Sequence, residues 1–352
     1  MTEMATISPA ALTAFQQAIP QLLVFANEKF KLESAYTGTA ATSINAAHIE
    51  QFNRDLAGLL SGVYEFNLFG NLDGEFIRLA GILTAHGAER TVVEAGLKAW
   101  IMALQTLIKR PESEELTAPL FSLAKQFTNL WARAEVTPPQ LDGSALRLHD
   151  YLLSRNRKFA AETVLELLRT GTTIEQAYQS TLLPALLSIQ LKLRQGTLST
   201  AQQQAAADIC RYIMYRVLDS IFNERRLPFN LLAACMPAEK DMLGSELFVN
   251  FLEVQGWSLL FMRESHTVDE VLHAASACNP HIVLLSAASI QSLPPAVKLA
   301  TAIRKNYPQT HIAFEGRAAL LARESLSRHG DAVVSGFEKG HQTLLNLVNE
   351  QA

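Results

Sequence analysis

The sequence predicts an α + α/β protein: an N-terminal all-helical bundle, a helical cap bundle, and a five-stranded doubly wound parallel, flavodoxin-like α/β domain. Two observations carry this. As far as about Arg226, apolar residues recur at helical spacing. After Pro228, short and continuously apolar runs alternate with helical stretches, the pattern of strands buried on both faces of a parallel sheet. Length agrees: at roughly 100–200 residues per domain, 352 residues make two or three domains.

The first domain is expected over residues 1–136. In "GEFIRLAGILTAHG" Phe76, Leu79 and Leu83 share a face, and "RTVVEAGLKAWIMALQTLIKR" and "ELTAPLFSLAKQFTNLWARA" continue the period. Trp100, Phe121, Phe127 and Trp131 read as core. His86, at a helix end, reads as a charge partner for the helix C-terminus. "EVTPPQLDGSA" carries two prolines and a glycine, which places a boundary between Val136 and Ser144. The second domain covers 144–227. "LHDYLLSRNRKFAAETVLELLRTG" stops at Gly171, "TIEQAYQSTLLPALLSIQLKLRQG" stops at Gly196, and Ser199 caps the next helix. The third domain covers 228–352. Its strands are "FNLLAAC", "WSLLFM", "HIVLLSA", "HIAFEG" and "AVVSG", with helices over Leu243–Gln255, Val268–Ala277, Pro295–Lys305, Ala318–Arg328 and Lys339–Asn349. Thr267 and Glu270 form a capping box. Ligands of such sheets bind at the carboxyl ends of the strands, which singles out the loops Met236–Leu243, Ala287–Pro294 and Glu315–Arg317.

Composition excludes several classes. The net charge is −4 and the basic residues are scattered, so nucleic acid is not a direct partner. No apolar run approaches the ~20 residues of a membrane span. "MTEMATISPAAL" lacks the basic start and apolar centre of a signal peptide, and Cys210, Cys235 and Cys278 lie far apart, so a reducing cytoplasm is expected. No nucleophile elbow, phosphate loop or paired metal motif is present, and no catalytic residue is assigned.

The order of elements from Ala145 to Ala352 resembles the cobalamin-binding module of methionine synthase, corrinoid methyl carriers and cobalamin photoreceptors. "GTTIEQAYQSTLLPALLSIQLKLRQGTLSTAQQQ" looks like the family's cap, and "ACMPAEKDMLGSELFVNFLEVQGWSLLFM" like its first strand, ligand loop and helix. The motifs depart from the pattern. Where the family has Asp/Glu-x-His-x-x-Gly, this chain has Glu239-Lys240-Asp241-Met242-Leu243-Gly244. The acid Glu239 and Gly244 are kept, while Asp241 replaces the histidine that takes the lower face of cobalt; a carboxylate suits that metal poorly. Glu239 would orient that histidine and here has nothing to orient. The tryptophan and Glu-His pair of the photoreceptor cap correspond to Leu193, Gln203 and Gln204. The Gly-Gly turn that admits the nucleotide tail is Glu315-Gly316. Ser286 is retained.

The resemblance implies a cofactor site built from Leu193, Gln203, Gln204, Cys235, Glu239, Asp241, Gly244, Ser286, Glu315 and Gly316, with the metal ligand unknown. The cofactor it implies is cobalamin or another tetrapyrrole, haem or a bilin, with none as the alternative; Cys235, Met236 and Met242 are the axial candidates for haem. The function this implies is a non-enzymatic sensor or regulatory protein, photoreceptor-like, that signals through domain packing. The alternatives are a cofactor-free interaction module and a corrinoid carrier for a methyltransferase. The N-terminal bundle would serve a protein partner or self-association.

Overall fold

The computed structural model describes residues 6–36, 45–133, 140–141, 143–194, 197–221, 226–236, 239, 242–263 and 266–349. Most of the proline-rich boundary between Val136 and Ser144, and Lys240 and Asp241, lie outside them. The chain divides into two compact units, residues 1–138 with 191–199, and residues 139–190 with 200–352. The second helical bundle and the α/β domain thus belong to one unit, apart from the short stretch 191–199.

The first unit is helical, as its periodicity predicts: α1 (Pro9–Tyr36), α2 (Ala46–Phe66), α3 (Phe69–Ala85), α4 (Arg90–Leu107) and α5 (Glu112–Arg133). Helix α1 packs on α4, α2 and α5. Phe15, Phe30, Phe76, Trp100 and Phe127 are buried at the centre. Trp131 is half-buried, its ring 5.5 Å from that of Phe127. Trp100 Nε1 donates to Asn53 Oδ1 at 2.9 Å, and Asn53 Nδ2 donates to Asn27 Oδ1 at 2.6 Å. A buried indole N–H is costly without an acceptor, so this relay fixes the register of three helices. Phe121 departs from expectation, being 49% exposed. Leu120 and Leu123 take the core face of α5, and one residue further along turns a side chain by about 100°. His86 also differs. It stacks on His48 with ring centroids 3.8 Å apart, and burial, then the His48 charge, pull its pKa down.

The helical part of the second unit comprises α6 (Gly143–Leu153), α7 (Arg157–Arg169), α8 (Ile174–Ala177), α9 (Leu183–Arg194) and α10 (Thr200–Ile221). Gly171, at φ +93°, ends α7 as expected of its position. Between α8 and α9 the chain makes a π-turn, Tyr178–Leu182. Pro184 follows at once, and a proline cannot donate to the carbonyl one turn back, which favours such a local change of period.

The five strands are β1 (Asn230–Cys235), β2 (Ser258–Met262), β3 (Ile282–Ser286), β4 (His311–Glu315) and β5 (Ala332–Val333). All pairs are parallel and the order is β2-β1-β3-β4-β5. This is the doubly wound, flavodoxin-like order, with its switch point between β1 and β3. The helices are α11 (Leu243–Val254), α12 (Val268–Cys278), α13 (Leu293–Asn306), the short α14 (Arg317–Leu321) and α15 (Arg323–Leu326), and α16 (Glu338–Asn349). Phe248 and Phe251 of α11 meet Phe337 at the start of α16, so these two helices share a face; α12 packs on α13. The capping box of Thr267 and Glu270 is present. Helix α11 is buried nearly all round, including Ser245, Glu246 and Asn250. Among the described residues, no helix is long and apolar enough to cross a membrane.

Candidate functional site

The site forms where the central strands end. Register places the last residues of β1, β3 and β4 in one row: Cys235 pairs with Ser286, and Ser286 pairs with Glu315. Register partners point to the same face of a sheet, so thiol, hydroxyl and carboxyl lie side by side. Helix α11 covers them with Ser245, whose hydroxyl lies 2.6 Å from that of Ser286. The Glu315 carboxyl shares hydrogen bonds with both serines. Its Oε1 has no partner among the described residues.

Burial raises the Glu315 pKa, and the Glu239 charge pushes it further up; the serine hydrogen bonds oppose this. A carboxyl removed from water and lacking a cation favours its neutral form. Burial also pushes the Cys235 thiol up to about 12, helped by Glu315, Glu239 and Glu246. Burial in these surroundings thus favours its neutral form.

Glu239 is held more firmly than its loop position suggests. Its Oε2 accepts from the amides of Ala288 at 2.8 Å and Ser289 at 3.1 Å, and from the Ser292 hydroxyl at 3.0 Å. The acid ties the loop after β1 to the loop after β3, across the switch point. In the sequence only the missing histidine partner is visible, because these amides lie about fifty residues away.

Gly316 has φ +105°, and a Cβ there would stand 2.7 Å from the carbonyl carbon and oxygen of Ala287. Only glycine fits this crossing of two strand ends. Gly244 and Gly316 line a pocket of about 340 Å³ with Glu315, Phe248, Val334 and Phe337. Gln203 is half-buried and borders a cavity of only about 70 Å³ with Leu186, Arg211, Met242 and Leu243. Gln204 is exposed. Leu193 is half-buried in α9 and belongs to the first unit. Asp241 lies outside the described residues. Cys235, Glu239, Ser286, Glu315 and Gly316 therefore converge at the strand ends, Gly244 lines the pocket beside Glu315, and Gln203 borders a separate small cavity.

Sequence reasoning missed three residues that α11 uses. Ser245 caps the row of strand ends. Glu246 holds Arg211 of α10 through two hydrogen bonds, at 2.8 and 3.1 Å. Asn250 Oδ1 accepts from the Tyr178 hydroxyl at 2.6 Å. The available signal was the interruption of the apolar run "LGSELFVNFLEV" by Ser245, Glu246, Asn250 and Glu253.

Tested against a corrinoid with its nucleotide tail buried, these residues do not fit. The Glu315 carboxyl, held by Ser245 and Ser286, stands beside Gly316 where the resembled pattern has a second glycine. Behind it α11 and α16 are closely packed, for a Cβ on Gly340 would meet the Phe248 ring at 2.8 Å. Among the described residues, no group of three or more His, Cys, Asp or Glu side chains is placed to hold a metal ion.

The architecture is that of a helical cap on a parallel α/β domain with a switch-point site. Solved structures to which the chain is similar include the Methanosarcina barkeri monomethylamine corrinoid protein, at 13% identity and a TM-score of 0.47, over 57% of this chain and 96% of that one. Another is a cobalamin-binding protein from Desulfitobacterium hafniense, at 12% identity and 0.32, over 57% and 97%. A third is the methanol:cobalamin methyltransferase complex MtaBC from Methanosarcina barkeri, at 10% identity and 0.33, over 63% and 88%. No protein-family model matches the chain, and no curated protein sequence matches it.

Proposed function

We propose that this chain is a non-catalytic regulatory protein built on a cobalamin-binding-type module, and that its ligand is a corrinoid held with its nucleotide tail outside the protein. The observation that carries the reading is the polar face of α11. Ser245 joins the strand ends, while Glu246 and Asn250 hold Arg211 and Tyr178 of the helical cap. A ligand that settles on the carboxyl edge and shifts α11 changes both cap contacts at once. Binding that favours one packing over the other is a signal. The N-terminal helical unit supplies the output, by self-association or a protein partner, and its exposed Val24, Leu32 and Phe121 are apolar groups suited to that.

A corrinoid is favoured over haem or a bilin because the order of elements from Ala145 to Ala352 resembles the cobalamin-binding module and Glu239, Gly244 and Ser286 of its pattern are kept. The carrier role is disfavoured, since Asp241 stands at the histidine position and Glu239 is already engaged by backbone amides. A cofactor-free module is the second reading. The cavity of about 70 Å³ beside Gln203 supports it, since small-molecule sites usually offer ~300–1,000 Å³.

The test is to mix the purified chain with aquacobalamin, desalt it, and record the visible spectrum and the amide hydrogen exchange of α10 and α11. Retained corrin absorbance with altered exchange in both helices is the expected result. A colourless protein with unchanged exchange leaves the cofactor-free reading.

A further inference from the structure

We infer that the outer edge of β2 is the interface on which a second copy of this chain docks, strand against strand and antiparallel about a twofold axis, so that one sheet runs through both copies. This surface lies apart from the strand-end site, and its role does not depend on the ligand bound there.

β2 is a terminal strand of the sheet. It pairs with β1 along Ser258–Met262, and no backbone hydrogen bond among the described residues meets its other side. Open edges recruit further strands, and proteins usually blunt them by shortness, charge or proline. The opposite edge, β5, is only two residues long. β2 has five residues, and from Val254 to Met262 the chain carries no charge and no proline. Side chains alternate along a strand. Leu259 and Phe261 line a groove with Tyr215 of α10, which is 56% exposed, and Leu260 stands on the other face, 43% exposed.

The strand is complementary to itself. Antiparallel pairing centred on Leu260 sets Leu260 against its own copy and Leu259 against Phe261, which gives apolar pairs on both faces. It also sets Arg263 of one copy across from Trp257 of the other. Trp257 follows Glu253 closely, for the Gly256 amide donates to the Glu253 carbonyl at 3.0 Å. Arg263 and Glu253 line the same groove and make no ion pair among the described residues. Twofold pairing therefore offers each copy's guanidinium to the other's carboxylate. This charge match, joined to the apolar pairs, selects a second copy over an unrelated strand.

The experiment measures the mass of the full chain by sedimentation at about 50 μM, a concentration that fills an interface of micromolar affinity. Wild type should show twice the mass of one chain. Leu260→Lys, which places a charge on the edge, should raise the dissociation constant about a hundredfold or more and leave a monomer. In a Cys278→Ser background, Leu260→Cys should form an intermolecular disulfide on mild oxidation, because directly opposed residues have Cβ atoms roughly 4.5–5.5 Å apart. Ser258→Cys in the same background should not. A wild-type monomer overturns the proposal, as does a dimer that survives Leu260→Lys. If circular dichroism shows Leu260→Lys unfolded, the two cysteine variants decide. A disulfide from Leu260→Cys alone upholds the edge, and none, or equal amounts from both variants, overturns it.

Discussion

Replacing Glu315 with glutamine should change how stability depends on pH, and the direction follows from the site. The native carboxyl has a pKa raised above the ordinary 4.5, first by burial and then by the Glu239 charge. Above pH 4.5 the unfolded chain has released this proton while the native state still holds it. Stability then falls as pH rises, because the native state binds more protons. The contribution is fully present below the unfolded value and is lost as pH climbs to the folded value. For one proton the slope is at most about 1.4 kcal/mol per pH unit. Glu315→Gln keeps a polar group for Ser245 and Ser286 and cannot ionise. Urea denaturation of both proteins across pH 4.5–8, followed by hydrogen exchange of the β3 and β4 amides so that the second unit is read directly, gives the difference curve. The variant should be flatter and should gain on wild type as pH rises. Parallel curves would show that Glu315 ionises as an exposed acid does and would refute the buried network.

Removing the cation of the α10–α11 pair, Arg211→Met, leaves the Glu246 carboxylate buried alone. Since Arg211 itself is 33% exposed, a loss of about 2–3 kcal/mol is expected, at the lower end for buried pairs; a double-mutant cycle with Glu246→Leu should recover much of it. Tyr178→Phe removes the hydroxyl on Asn250 and should cost about 1–2 kcal/mol by urea denaturation, with faster exchange in α11. Gly316→Ala sets a methyl group against backbone that cannot move, and a cost of about 3 kcal/mol or more is expected, read as a lowered thermal midpoint or loss of soluble protein.

Local chemistry makes much of the fold legible. Apolar runs five or six residues long, separated by helical stretches, give buried parallel strands because the backbone period and burial on both faces leave few other solutions. The capping box at Thr267 and the stop at Gly171 depend on neighbours within three or four residues, so they too are readable. So are the loops at the strand ends, and with them Cys235, Glu239, Ser286 and Glu315. What those residues do is not readable. Ser286 touches Ser245 and Glu315 because three strands end at one level, and register is a relation between segments about thirty to fifty residues apart. Glu239 reads as an acid without a partner until the fold lays the amides of Ala288 and Ser289 across it. Phe121 reads as core, but the turn of α5 gives that place to Leu120 and Leu123. The sequence alone determined which residues end the strands at the carboxyl edge, since period and turn chemistry are local, but not that Ser245 of α11 joins them. The tertiary structure decided that the Glu315 carboxyl is buried between Ser286 of β3 and Ser245 of α11, because burial and hydrogen-bond partners are fixed by what other strands and helices bring around a side chain.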